Sequence, residues 1–169
     1  MTSAATDRDK LPGRPVSPFE QRQSVSTVKE KPLIGWREWV VFPDFGNIRV
    51  KAKIDTGAQT SAIHAWNAEI GQRDGIDFVS FELHPLQRNN DKIVKCHAPL
   101  SDRRSVRNSG GQSTNRLFVK THILLGEKKW PIELSLTRRD DMGFRMLLGR
   151  AAISGRYFVD PEKSFLLDK

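Results

Sequence analysis

The chain has 169 residues, 37% of them hydrophobic, and a net charge of +8, which fits one folded domain with a real core and excludes a fibrous or membrane-embedded protein. It has no apolar run near the ~20 residues that span a bilayer, and its polar first residues lack a signal-peptide core. We therefore expect a cytoplasmic protein with no membrane partner. The single cysteine, Cys96, excludes an intrachain disulfide and a zinc site built from several cysteines of one chain.

Composition divides the chain into a tail and one domain. Residues 1–31 carry three prolines, scattered Ser and Thr, and few large apolar side chains, a composition typical of disorder. We expect a disordered tail over residues 1–31 and a folded domain over residues 32–169.

Short strands dominate the expected domain. Residues 48–54 alternate apolar and charged side chains, the period of two that half-buried strands show, and residues 43–47 supply turn chemistry before them. Many short strands with one short helix predict a small all-β barrel or sandwich. The other expected strands are 36–42, 76–83, 92–98, 117–125, 130–136, 144–148, 157–159 and 164–167, and the helix is 150–154.

An acid stands where the strand at 48–54 ends. Asp55 runs directly into Thr56, Gly57 and Ala58, and Gly57 permits a sharp turn with close backbone approach. Such a turn would hold the carboxylate at a fixed place beside backbone N–H groups. An Asp-Thr-Gly tripeptide alone could equally be an Asx-turn that only caps a loop.

The wider context resembles the retropepsins. Residues 52–63 are similar to a retropepsin active-site strand and loop, and residues 146–150 to the second signature, two apolar residues, Gly and Arg before a C-terminal helix. The match is closer to the bacterial RimB-like family, long labelled ATP-dependent zinc proteases. Residues 53–65 meet its Lys-x-Asp-Thr-Gly-Ala-x-Thr-Ser-Ala-x-His-Ala pattern, and residues 130–150 resemble its later block.

This resemblance implies a retropepsin-like closed barrel in which Asp55 is catalytic. It also implies that Leu147 and Leu148 pack beside the active-site loop and that Gly149 lets the chain pass close to that loop. We expect these residues, with Arg150, to give the site structural support.

Arg150 completes the second signature, and its partner is in question. Retropepsins commonly place an acid four residues beyond the catalytic Asp, where it pairs with this Arg, but Gln59 stands there. We expect Arg150 to bond instead to Glu133 or to a backbone carbonyl.

The resemblance further implies a flap, a hairpin that closes over substrate. The best candidate spans residues 96–119, with Ser109, Gly110 and Gly111 near its tip. Adjacent glycines suit a turn that must move, although an ordinary hairpin loop has the same composition.

Aspartic protease chemistry takes two carboxylates that share one proton, since like charges ~3 Å apart cannot both ionise. One member is the general base on a water, and the other hydrogen-bonds the scissile carbonyl. This chain holds one Asp-Thr-Gly and no internal repeat. We therefore expect a homodimer that places Asp55 against its own copy.

Zinc and ATP find little support in the sequence. No histidine falls in a His-Glu-x-x-His pattern, and no phosphate-binding loop motif is present. Cys96 and His97 are neighbours on an expected strand and would point to opposite faces, which leaves His64 with Asp55 as a conceivable metal pair. We predict no metal and no cofactor, with a zinc-dependent peptidase as the alternative.

Positive charge gathers near the expected flap. Residues 101–120 contain five Lys or Arg against one Asp, a net +4, which indicates either a solvated loop or selection of acidic peptides by charge. RimB-like proteins are often linked with a ligase that adds glutamates to a ribosomal protein, so the resemblance makes an acidic peptide or protein tail a coherent substrate. A non-catalytic module that binds peptide or nucleic acid is a further alternative, but the basic segment lacks interleaved aromatics, which argues against nucleic acid.

Overall fold

The computed structural model describes residues 30–87, 89–107, 110–138 and 143–167. Residues 31–169 form one folded unit, and a boundary after Glu30 separates it from the preceding segment. The expected tail over 1–31 lies almost wholly outside the described residues and stays a prediction. Within the described ranges, no helix is long and apolar enough to cross a membrane.

In the described part of the unit, strands predominate and two short helical segments occur. A 3-10 helix at Pro43–Phe45 fills the expected turn, and the helix α1 at Arg150–Ile153 lies where it was predicted. The strands are β1 Leu33–Gly35, β2 Arg37–Phe42, β3 Ile48–Asp55, β4 Ser61–His64, β5 Trp66–Arg73, β6 Ile76–Leu83, β7 Val94–Arg107, β8 Ser113–Leu125, β9 Lys128–Thr137, β10 Met146–Gly149 and β11 Phe158–Asp160.

Six strands close into a barrel, which confirms the expected all-β fold. The order β2-β3-β10-β4-β9-β8 returns to β2 through the pairing of Val41 with Leu124. Strands β7, β6 and β5 continue the sheet from β8, while β1 and β11 form a separate parallel pair. Closure removes the exposed edges of the six ring strands.

Alternation along the strands fills the barrel. On β3 the even-numbered residues from Ile48 to Ile54 are buried, and the residues between them face outward. On β9 the same pattern buries Trp130, Ile132, Leu134 and Leu136. Apolar area removed from water in this way is the main stabilising contribution to such a core.

One expected strand is wrong. Residues 164–167 form no strand, because Phe165 takes a left-handed backbone at φ +55°. Their backbone donors are satisfied elsewhere: the N–H of Phe165 bonds to Arg37 O at 2.9 Å, and that of Leu166 to the buried carboxylate of Glu38 at 2.8 Å. Strands β1, β4 and β5 were not predicted, and β7 runs nine residues past the expected end at Ala98.

Candidate active site

Asp55 is the last residue of β3, and its carboxylate is fixed by the turn that follows. The N–H of Gly57 donates to Asp55 Oδ1 at 3.1 Å, and the N–H of Ala58 donates to the same oxygen at 3.0 Å. Both bonds end on Oδ1, which leaves Oδ2 available to a water or a second carboxylate. An Asx-type turn and a presented acid are therefore combined in one loop, and Thr56 lies exposed between them.

Gly149 holds the loop carrying Asp55 against the barrel. Strand β10 runs parallel to β3 with Gly149 opposite Asp55. A Cβ at Gly149 would lie 2.6 Å from the carbonyl carbon of Thr60 and 2.8 Å from the nitrogen of Ser61, so a side chain there has no room. The N–H of Gly149 also donates to Ser61 Oγ at 3.0 Å, which matches the close passage expected of this glycine.

The two leucines before Gly149 face opposite sides of β10. Leu148 is fully buried in the barrel core, whereas Leu147 lines the cavity that contains Asp55. One leucine therefore anchors β10, and the other forms part of the cavity wall.

Arg150 binds three residues of the loop that follows Asp55. Its guanidinium donates to Thr56 O at 3.0 Å and to Gln59 Oε1 at 2.8 Å, while its backbone N–H donates to Ala58 O at 2.7 Å. The expected backbone-carbonyl partner is present. Glu133 is not a partner of Arg150, because its carboxylate is bound to Arg104 at 2.6 Å.

A cavity of about 670 Å³ opens beside Asp55. The antiparallel β7–β8 hairpin, which pairs Arg107 with Ser113 at its end, forms the opposite wall. Of the expected tip, Gly110 and Gly111 are exposed and Gly111 has φ +83°, while Ser109 lies outside the described residues. The full lining is Asp55, Gly57, Ala58, Gln59, Thr60, Ala62, Arg104, Val106, Arg107, Arg116, Phe118, Ser135, Thr137 and Leu147.

Three arginines of the β7–β8 hairpin, Arg104, Arg107 and Arg116, face the same cavity as Asp55. Arg104 is held on several sides, because it lies 3.6 Å over the ring of Phe118 and bonds both Glu133 and Asp102 at 2.6 Å. The hydrogen bond from Arg104 lowers the pKa of Asp102 below its usual value. The bond to Glu133, followed by that to Asp102, raises the pKa of Arg104.

The described residues form no cluster of side chains suited to bind a metal ion. Among the described residues, no three His, Cys, Asp or Glu side chains come together. Burial raises the pKa of the Cys96 thiol to about 12, which opposes the thiolate that zinc requires, and His97 is exposed on the other face. The backbone N–H of His64 bonds to Arg145 O, whereas Asp55 lies opposite Gly149. Since Arg145 and Gly149 are four residues apart in extended chain, His64 and Asp55 are offset by about 13 Å along the strand direction.

His64 has a structural setting instead. Its ring is buried and stacks on Trp66 at 3.7 Å between centroids, and Trp66 stacks in turn on His84 at 3.8 Å. The conceivable pairing of His64 with Asp55 is therefore not formed.

Several cavity residues were not anticipated. Ala62, Ser135 and Thr137 come from β4 and β9, and Phe118 comes from β8. β4 follows the loop after Asp55 directly, but all four of its residues are buried, so no alternation singles out Ala62. Ser135 and Thr137 are brought to the site only by the parallel pairing of β4 with β9, which no local pattern reveals.

The chain resembles a known family and a solved structure. A family model described as the retropepsin-like aspartic endopeptidase RimB matches residues 33–169. The chain belongs to the RimB-like family. Its structure is similar to a Legionella pneumophila protein of unknown function, with a TM-score of 0.70 and 26% identity over 82% of this chain and 99% of the other.

Curated relatives of this RimB-like chain are longer proteins with another name. It is 48% identical over 131 residues to a probable alpha-L-glutamate ligase of Desulfotalea psychrophila. The matched segment covers 78% of this chain and 28% of that protein. A protein of the same name from Shewanella pealeana is 47% identical over 80% of this chain and 30% of its own length. The chain thus spans less than a third of these relatives.

Proposed function

We propose that this RimB-like chain is an aspartic endopeptidase that hydrolyses acidic peptides or protein tails. The catalytic dyad is formed by Asp55 and the same residue of a second copy. The observation that carries the proposal is the placement of the Asp55 carboxylate, held by two backbone N–H groups at the rim of a cavity large enough for peptide side chains.

Peptide hydrolysis by this mechanism needs two carboxylates and a water, and two copies of the chain would supply both carboxylates. The ionised carboxylate takes a proton from a water while the water oxygen attacks the scissile carbonyl carbon. The protonated carboxylate donates a hydrogen bond to the carbonyl oxygen, whose negative charge develops in the tetrahedral intermediate. When the C–N bond breaks, the leaving amine takes up a proton, and the dyad again holds one proton between two acids.

A second copy is required because one chain supplies one acid in this setting. A two-fold axis beside the exposed Thr56–Gly57 turn would bring the two carboxylates together. The β7–β8 hairpins of the two copies would then enclose the cleft from the same side and exclude water.

Charge within the cavity supports an acidic substrate. Arg104, Arg107 and Arg116 line it together with Asp55, and a guanidinium binds a carboxylate through two parallel hydrogen bonds. Glu133 and Asp102 occupy Arg104 in the free protein, so a substrate carboxylate would replace or join them. That the relatives are named for glutamate ligation supports glutamate-rich chains as substrates.

Ligation itself is not proposed for this chain. The ligase name describes proteins more than three times the length of the matched segment, and the residues around Asp55 suit hydrolysis. The zinc-dependent alternative has no supporting cluster in the described ranges. Retention of activity in excess chelator would agree with the aspartic mechanism, and complete, zinc-reversible loss would contradict it.

The direct test is cleavage of a fluorogenic glutamate-rich peptide by the full chain and by Asp55→Asn. We expect the wild-type protein to cleave and the variant to be slower by about 10³-fold, with unchanged circular dichroism and sedimentation. An Asp55→Asn variant as active as wild type would contradict the assignment. Wild-type protein that binds the peptide without cleaving it would identify a binding module instead.

A further inference from the structure

The outer face of β2 and β3 is basic along its length. Alternation buries the intervening side chains, including Glu38 on β2, and turns the others outward. The register pairs Arg37 with Lys53 and Trp39 with Lys51. Short of Asp55, the outward residues of these two strands therefore carry cations and no carboxylate: Arg37, Trp39, Val41, Arg49, Lys51 and Lys53.

Aromatic rings are interleaved with these cations. Trp39 and Phe165 stack at 5.8 Å between centroids and 26° between planes. Arg49 lies 4.6 Å from the Trp39 centroid, Lys51 lies 5.4 Å from Trp39 and 5.6 Å from Phe165, and Arg37 lies 5.1 Å from Phe165. We call these five residues, Arg37, Trp39, Arg49, Lys51 and Phe165, the β2–β3 platform.

Phe165 is held in the platform by a costly backbone conformation. A left-handed φ of +55° is uncommon for a non-glycine residue, and such outliers cluster at functional sites. The conformation is fixed on both sides, by the bond from Phe165 N–H to Arg37 O and by the bond from Leu166 N–H to Glu38. The chain thus uses a buried carboxylate to present an aromatic ring beside Trp39.

We propose that the β2–β3 platform binds single-stranded nucleic acid, with phosphates on its cations and bases on its rings. Single-strand binding surfaces combine positive charge that follows the backbone with aromatic side chains on which bases stack. Arg49 and Lys51 are two residues apart on β3, about 7 Å, so an extended strand can meet them in succession. Cation–π contacts are individually weak, so Lys51 can turn from the half-buried rings to a phosphate, whereas Arg37, which also donates to Ser164 Oγ at 3.0 Å, and Arg49 would add a phosphate to the contacts that they already make.

An acidic peptide fits the platform less well than a nucleic acid does. A peptide carboxylate needs the cations alone, and the stacked rings of Trp39 and Phe165 would have no role in binding it. The basic β7–β8 hairpin presents three arginines to the cavity of Asp55 with only Phe118 among them. The platform differs because residues distant in sequence bring two stacked rings between three cations.

The platform is separate from the proposed active site. None of its five residues lines the cavity of Asp55, so nucleic-acid binding neither requires nor follows from peptide hydrolysis. The two proposals can fail independently.

The test is fluorescence anisotropy of a labelled, mixed-sequence 12-nucleotide RNA with the full chain over about 50–200 mM salt. Wild-type protein should bind, with log K falling against log salt at a slope of about −2 for three phosphate contacts. Lys51→Gln should reduce that slope by about 0.7. Trp39→Leu should weaken binding about tenfold and Trp39→Phe much less, because the ring stacks on a base.

Matched controls decide what the result means. Lys129→Gln removes the same charge from an exposed position on β9 outside the platform and should leave the slope and affinity unchanged. Trp39→Phe, which keeps a ring, separates lost stacking from a failure to fold. Equal effects of Lys51→Gln and Lys129→Gln, or no effect of Trp39→Leu in a folded protein, would overturn the proposal.

Competition distinguishes nucleic acid from other anions. A glutamate-rich peptide or phosphatidylserine vesicles that displace the RNA at equal charge concentration, with the same dependence on Trp39, would overturn the proposal in favour of that partner. Quenching of tryptophan fluorescence by unlabelled RNA, reduced in Trp39→Phe, would support base stacking on this ring.

Discussion

Gly149 and Asp55 face each other across the parallel pairing of β10 with β3. The missing side chain at Gly149 leaves room for the backbone of Thr60 and Ser61, and the adjacent Arg150 binds the loop at Thr56 and Gln59. The position of the acid thus depends on a glycine nearly a hundred residues away in sequence.

Replacing Gly149 with alanine should therefore destabilise the protein and disturb the loop. The new Cβ would lie 2.6 Å from a backbone carbon, and backbone yields less readily than a side chain. We expect a loss of about 2–3 kcal/mol in the free energy of unfolding, measured by urea denaturation at one fixed protein concentration, since a dimer's stability depends on concentration.

Gly71→Ala is the matched control for this change. Gly71 is exposed on β5, and nothing lies within 4 Å of the Cβ it would gain. We expect a change within about 0.5 kcal/mol there. Equal stability of both variants would contradict the close packing assigned to Gly149.

Arg104→Ala should lower selectivity for acidic substrates. With one cavity guanidinium removed, kcat/KM for a glutamate-rich peptide should fall about ten- to a hundredfold, the scale of a hydrogen bond to a charged group. The value for the glutamine analogue should change much less. Arg103→Ala is the control, because Arg103 precedes Arg104 on β7, points to the other face and does not line the cavity. Equal losses for both variants would refute a specific role for Arg104.

The Asp44 carboxylate should contribute to the free energy of unfolding in a pH-dependent way. Burial alone would raise the pKa of Asp44, but bonds to its Oδ2 from the backbone and ring of His122 and from the Thr121 hydroxyl together lower it. A lowered folded-state pKa stabilises the fold above the unfolded value of about 3.9 and loses that effect as pH falls through the folded value.

Asp44→Asn should accordingly cost about 1 kcal/mol near pH 7 and much less near pH 2.5, measured by urea denaturation at both pH values. Asp77→Asn, at a half-buried acid that accepts one bond from Gln72, serves as the control. A difference between wild type and Asp44→Asn that is unchanged at low pH would contradict the role of the Asp44 carboxylate.

The sequence predicted the parts of the site that local patterns encode. Alternation located β3, and the motif after it located Asp55 and its turn. It predicted a backbone carbonyl as a partner of Arg150, which is Thr56 O, but missed Gln59, whose amide oxygen accepts a bond where an acid usually stands. The other predicted partner, Glu133, is bound to Arg104 instead.

Tertiary contacts account for what the sequence did not predict. The apolar run at 164–167 looks like a strand, but Glu38, fully buried on β2, accepts its backbone N–H groups and overrides that tendency. The side-chain neighbours of Trp39 likewise come from β3 and from Phe165. Neither arrangement has a local signature, since the pairing of distant segments produces both.

A dyad formed by two copies of Asp55 is central to the proposed function, and one distance tests it. In a crystal structure of peptide-cleaving protein bound to a peptide-like inhibitor, the nearest carboxylate oxygens of Asp55 and its symmetry mate should lie about 2.5–3.0 Å apart. A catalytically active assembly in which these carboxylates lie more than about 6 Å apart, beyond any shared hydrogen bond, would contradict the dyad.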